Sequence, residues 1–123
     1  MDTVEKPHKK LEVWKAAIDT VLFVYKLADG FPPKEQYSLS VQVRRAAISI
    51  PSNIAEGAAR QYKKEFVKFL HIAKGSLSEL DTQIELARLL SYLSPAEWHA
   101  MNDKLTQVDR LISGLIRHLR TGK

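Results

Sequence analysis

Between Gln42 and Arg60 the chain carries superposed helical stripes that few folds accommodate together. Val43, Ala46, Ala47, Ile50, Ile54 and Ala58 recur at steps of three and four, the spacing of one face of an α-helix. One step round that helix, Gln42, Arg45, Ser49, Asn53 and Glu56 repeat as a row of hydrogen-bonding side chains. Val41, Ile48 and Ala55 make a third stripe, apolar again. A surface helix needs one apolar face, so a polar row between two apolar ones predicts the central helix of an assembly, covered on more than one side.

The flanking segments supply partners of the same kind. Leu11, Trp14, Ile18, Val21, Tyr25 and Ala28 read as the heptad seam of a first helix. Val13, Ala17, Val24, Leu27 and Phe23 lie beside it, more apolar surface than a monomer leaves in water. Asp29-Gly30-Phe31-Pro32-Pro33 stops this helix, because glycine suits a left-handed cap and a proline pair cannot continue it. The second helix starts near Tyr37 and holds Pro51 in its interior, where a lost N–H and a ring clash predict a kink.

Phe66, Leu70, Ala73, Leu77, Leu80, Ile84 and Ala87 form the unbroken heptad row of a third helix, in which Gly75 and Ser76 would let another backbone come close. Leu93-Ser94-Pro95-Ala96-Glu97-Trp98 opens a fourth, with Ser94 as N-cap, Pro95 at the first position and Glu97 closing a capping box. Trp98, Met101, Leu105, Val108, Ile112, Leu115 and Leu119 continue its core face. No stretch fits strand alternation. The pattern predicts an all-α, antiparallel up-and-down four-helix bundle with a kinked second helix over residues 11–120. A loose basic arm at 1–10 precedes it and a disordered tail at 121–123 follows.

The run Gln42, Arg45, Ala46, Ser49, Ile50, Asn53, Ile54, Glu56, Gly57, with Ala73, Gly75, Ser76, Leu77, Glu79 and Leu80 downstream, resembles the four-helix-bundle family of ribosomal-RNA intervening-sequence proteins. Leu11, Val13, Trp14, Lys15, Tyr25, Phe31, Pro32 and Glu35 fit the same pattern, so the resemblance covers roughly residues 11–93. It implies an up-and-down bundle assembled as a ring-shaped homopentamer. It also implies kinship with the accessory protein of diversity-generating retroelements, which resembles a nucleic-acid-binding partner of a reverse transcriptase. No catalytic residue comes with it. The family's usual serine cap before the third helix is replaced here by Arg60-Gln61-Tyr62-Lys63.

At 123 residues one domain and one core are expected. The chain has no cysteine, which excludes disulfides and thiolate metal sites and fits a reducing, cytoplasmic setting. The polar start lacks the apolar stretch of a signal peptide, and the most apolar run, Val21 to Tyr25, is far short of the ~20 residues that cross a bilayer. A soluble protein with no membrane partner is expected.

The net charge is +5, and its distribution says more than its size. From Gly57 to Ser78, Arg60, Lys63, Lys64, Lys68 and Lys74 face one acid, Glu65; from Glu79 to Arg110 six acids outnumber three bases. This predicts a polarised molecule whose positive pole also holds the N-terminal Lys-Pro-His-Lys-Lys and the C-terminal run from Arg117.

The residues offer little for catalysis. A di-iron bundle needs Glu-x-x-His pairs, but Lys68, Ala96 and Leu115 stand three before His71, His99 and His118. No His-x-x-x-His, glycine-rich phosphate loop or framed serine nucleophile occurs. Helical ribonucleases of the HEPN type place a histidine four to six residues after an arginine, whereas seven residues separate Arg110 from His118. No enzyme, cofactor or metal is expected.

Two sets of side chains remain. Gln42, Arg45, Ser49, Asn53 and Glu56, with Glu79, Ser76 or Gln83 of the third helix, are expected to form a buried polar network that fixes register within the bundle or between copies. Lys64, Lys68 and His71 stand at i, i+4 and i+7, flanked by Arg60, Lys63 and Lys74, with Tyr62 able to stack on a base. Arg44, lacking an acidic neighbour to explain it, joins them as a ligand residue. The sequence reading is therefore a non-enzymatic homo-oligomer that binds RNA or DNA through these basic residues. The alternative is a protein-interaction scaffold or accessory subunit of an enzyme encoded nearby.

Overall fold

The computed structural model describes residues 6–122, without the side chain of Lys10. Four helices account for most of it: α1 (Glu12–Asp29), α2 (Leu39–Ala58), α3 (Lys63–Leu89) and α4 (Pro95–Thr121). Single 3-10 turns at Pro7–Lys10 and Pro33–Glu35 precede α1 and α2, and the described residues contain no strand. The helices pack as a closed cycle, α1 on α2, α2 on α3, α3 on α4 and α4 back on α1.

Local chemistry sets the helix ends. At α4 the Ser94 hydroxyl accepts the Glu97 N–H at 3.1 Å, and the Glu97 carboxylate accepts the Ser94 N–H at 2.8 Å. This is the capping box read from the sequence. Gly122, at φ 74°, closes the far end by donating its N–H to His118 O, a left-handed position where glycine carries no Cβ penalty. The α3 N-terminus has Tyr62 at its N-cap and no side-chain cap at all.

The α1–α2 and α3–α4 connections meet. Tyr92 donates its phenol hydrogen to Glu35 Oε2 at 2.7 Å, while Glu35 Oε1 accepts the Leu39 N–H, and the Phe31 and Tyr92 rings lie 5.5 Å apart. The Tyr92 hydrogen bond holds the Glu35 carboxyl below its usual range, and the same bond pushes the Tyr92 phenol up.

The core corrects the register expected for α1. Its buried face is Val13, Ala17, Thr20, Val24, Leu27 and Ala28, while Trp14, Ile18 and Val21 are half-buried and Tyr25 is exposed. Thr20 hid this face from an apolar count. Its hydroxyl donates to Ala16 O at 2.9 Å, so the buried oxygen is satisfied by its own helix. Small residues along that face fit a narrow interhelical space that Trp14 and Tyr25 would overfill. The middles of the other core stripes fall where the spacing places them: Val43, Ala46, Ala47, Ile50 and Ile54 on α2, Leu70 to Ala87 on α3, and Met101, Leu105, Val108 and Ile112 on α4. Towards the helix ends Ala58, Phe66, Trp98, Leu115 and Leu119 are only half-buried, and Val67 and Ile116 are buried instead of Phe66 and Leu115.

Pro51 is buried inside an α2 that continues on both sides of it. Near the end of α2, Gly57 is required by packing, because a Cβ there would lie 2.8 Å from Phe66 Cδ1 and from Phe69 Cβ. Gly75, by contrast, has nothing within 4 Å of a built Cβ. Part of the expected basic arm is ordered on the bundle: Pro7–Lys10 forms a turn, and the His8 ring meets the Trp14 ring edge-on at 5.0 Å. Residues 1–5 of that arm and Lys123 of the expected tail lie outside the described residues, while Thr121 belongs to α4.

Candidate nucleic-acid interface

Contacts between α3 and α4 fix which charges share a surface. Going down α3, His71 faces Arg120, Lys74 faces Ser113 and Asp109, and Arg88 lies over the Trp98 ring, so the α4 partners run backwards along the chain. The first turns of α3 therefore sit beside the last turns of α4. Lys63, Lys64, Val67, Leu119 and Arg120 line a groove of about 360 Å³ there.

Around this groove Lys63, Lys64, Lys68, His71, Arg117 and Arg120 are all exposed. Among the described residues none of the four cations Lys63, Lys64, Lys68 and Arg120 enters an ion pair. Arg120 Nη2 lies 3.3 Å from His71 Nε2, and because a guanidinium can only donate, the imidazole nitrogen is the accepting side of this contact. Tyr62 stands at the start of α3, 62% exposed, with no aromatic partner among the described residues. The uncapped α3 N-terminus adds the partial positive charge of free backbone N–H groups beside these lysines.

Three expected ligand residues are placed differently from the rest. Lys74 turns away from solvent to α4, donating to Ser113 Oγ at 2.8 Å with Asp109 at 3.5 Å, so its charge is already met. Arg60 pairs with Glu56 at 3.2 Å and lies over the Phe69 ring, at the edge of the cluster. Arg44 is remote: it stacks on Tyr25 at 5.7 Å, and its position sixteen residues before Arg60 puts it about 24 Å back along α2. Arg117 and Arg120 complete the cluster although sequence reasoning placed them only at the positive pole. Their signal was the helix count, since a fourth helix running back beside the third brings its end to the third helix's start.

The polar row of α2 is partly engaged. Ser49 Oγ and Ser76 Oγ are 2.7 Å apart across the α2–α3 seam, and Asn53 Nδ2 donates to Ser49 O at 2.8 Å and to Ser49 Oγ at 3.0 Å. Gln42, Arg45, Glu56 and Glu79 are exposed, and Glu79 accepts a bond from Gln83 at 3.3 Å. A buried Arg45–Glu56 network is thus not present within the chain. Arg45 follows the outer edge of α2, and Glu56 pairs with Arg60, just past the end of that helix, rather than with a residue of α3.

Among the described residues no group of three or more histidines and carboxylates is placed to hold a metal ion, and no helix is long and apolar enough to cross a membrane.

The profile of the 23S rRNA-intervening sequence protein family matches residues 9–114. A solved structure of a protein of unknown function from the S23 ribosomal protein family of Bacteroides thetaiotaomicron superposes with a TM-score of 0.78 at 21% sequence identity. The alignment covers 84% of this chain and 96% of that one. At that identity the likeness speaks for the fold alone. The curated proteins searched contain no match.

Proposed function

The chain belongs to the 23S rRNA-intervening sequence protein family, and from that premise we propose that it is a non-enzymatic, self-assembling bundle that binds nucleic acid through the cluster at the start of α3 and the end of α4. The observation that carries the reading is the groove of Lys63, Lys64 and Arg120, joined by Lys68 and Arg117, with Glu65 as the acid in that stretch of α3. Cations without internal partners are available to phosphates, and each one neutralised releases counterions from the nucleic acid. The exposed Tyr62 ring beside them offers a stacking platform for an unpaired base.

The backward run of α4 partners along α3 supports an antiparallel up-and-down arrangement. Family resemblance extends the reading to a ring of five copies, and the absence of cysteine to a reducing, cytoplasmic setting. A ring repeats the cluster in every subunit, and linked sites raise avidity without new contacts. A protein-interaction scaffold is the second reading, favoured by an apolar groove between α1 and α2 lined by Trp14, Ile18, Val21 and Ile48.

Fluorescence anisotropy with single-stranded RNA, single-stranded DNA and duplex DNA across a salt series tests the first reading. Affinity should fall with a logarithmic slope of about −0.9 per phosphate contact for duplex and about −0.7 for single strands. A Lys63, Lys64 and Lys68 to Ala triple variant should flatten that slope. Tyr62→Ala should lose about 1 kcal/mol or more on single strands, and Tyr62→Phe should retain it. An unchanged slope in the triple variant would remove this surface as the site. No binding by wild type at low salt would leave the scaffold.

A further inference from the structure

We infer that protonation of His71 tunes the cluster: the neutral imidazole holds Arg120, and the protonated one releases it while adding a charge of its own, so that phosphate binding is coupled to proton uptake. This rests on the proposed nucleic-acid reading of the same surface and adds its regulation by pH.

The geometry is that of a fixed donor meeting a titratable acceptor. Arg120 Nη2 of α4 lies 3.3 Å from His71 Nε2 of α3, and both side chains are exposed. A guanidinium has five N–H donors and no acceptor, so the contact needs the lone pair of an unprotonated Nε2, with the ring hydrogen on Nδ1. A protonated imidazole donates from both nitrogens. Donor then faces donor and cation faces cation, and the contact opens. Histidine is the side chain whose ordinary charge change falls between pH 5 and 8, a range that reaches both states.

Cations surround His71 on both helices. On α3, Lys68 and Lys74 stand three residues to either side, and Lys64 seven before. From α4 come Arg120 and, one turn before it, Arg117; the next acid back along α4, Asp109, is already met by Lys74 at 3.5 Å. On the α2 side, Arg60 is paired with Glu56 and lies over the Phe69 ring. Glu65, six residues before His71, is the one acid in the first half of α3. Among the described residues no carboxylate bonds the imidazole.

A phosphate entering the groove supplies the anion this neighbourhood lacks. It favours the charged form of a histidine beside it. It also takes the freed guanidinium as a two-pronged donor, the geometry in which arginine binds phosphate best. Such coupling is reciprocal: if the proton strengthens phosphate binding, phosphate strengthens proton binding by the same factor.

The test is fluorescence anisotropy with a labelled single-stranded oligouridylate between about pH 5 and pH 8 at fixed ionic strength, with circular dichroism to verify folding. Wild-type affinity should rise about fivefold or more towards the acidic end. His71→Gln keeps an acceptor for Arg120 but takes up no proton, so its affinity should change less than about twofold across the range. His71→Lys carries a permanent charge and no acceptor, and should bind at the alkaline end as tightly as wild type does at the acidic end. His118→Gln, outside the contact, should keep the wild-type profile. Calorimetry in two buffers of different ionisation heat should show protons taken up on binding by wild type and none by His71→Gln. No binding by wild type at any pH in low salt overturns the nucleic-acid reading, and this inference with it. Binding indifferent to pH, or a pH dependence that survives in His71→Gln, leaves that reading standing and overturns the coupling.

Discussion

Lys74 Nζ spans from α3 to Ser113 Oγ on α4 at 2.8 Å, with Asp109 Oδ1 at 3.5 Å. A cation that looks like part of the basic row is thereby a tie between helices. Replacing it should affect stability and leave the proposed binding surface largely intact. Lys74→Ala is expected to destabilise the bundle by about 1 kcal/mol in urea unfolding. Nucleic-acid affinity should stay within about twofold of wild type. A loss of affinity comparable to that of the lysine triple variant would show that Lys74 reaches the ligand.

The glycines divide into opposite kinds. Gly57→Ala would push a methyl group to 2.8 Å from Phe66 Cδ1 and Phe69 Cβ and should cost about 1–3 kcal/mol. Gly114→Ala meets nothing within 4 Å and should gain about 0.5–1 kcal/mol from helix propensity. Thermal melts of the two variants should therefore move in opposite directions. Equal shifts would mean that α2 and α3 are not as close near Gly57 as the structure has them.

The Tyr92–Glu35 bond makes a pH-dependent contribution. Because the Glu35 pKa is lowered from 4.5, the stabilisation is present above about 4.5 and is lost as pH falls through the depressed value. Because the Tyr92 pKa is raised from 10.0, its part is present below about 10 and is lost as pH rises through the elevated value. Tyr92→Phe should melt below wild type at pH 7, and the gap should narrow at both acidic and alkaline extremes. A gap constant from pH 3 to pH 8 would show that the carboxylate does not accept this bond.

How much was legible in the sequence depends on which residues carried the signal. The capping box at Ser94 and Glu97 and the core rows of α2, α3 and α4 were readable because they depend on residues a few positions apart on one helix. The α1 register was not, because Thr20 buries a hydroxyl that satisfies itself on Ala16 O, and a count of apolar residues skips it. The candidate site was half legible. Lys63, Lys64 and Lys68 follow one another on α3, but Arg117 and Arg120 join them from more than forty residues away.

The amino-acid sequence by itself determined the helices, most of their buried faces and the clustering of positive charge, since these follow from side-chain spacing and backbone chemistry within a few turns. Only the tertiary structure decided how each charge is used. Lys74 is spent on Ser113 and Asp109, Arg60 on Glu56, and Arg44 on the Tyr25 ring, whereas Lys63, Lys64 and Arg120 surround an open groove. A lysine or arginine has the same charge in every one of these places. Whether it faces a partner or solvent is set by which helix packs beside it, and that information is non-local.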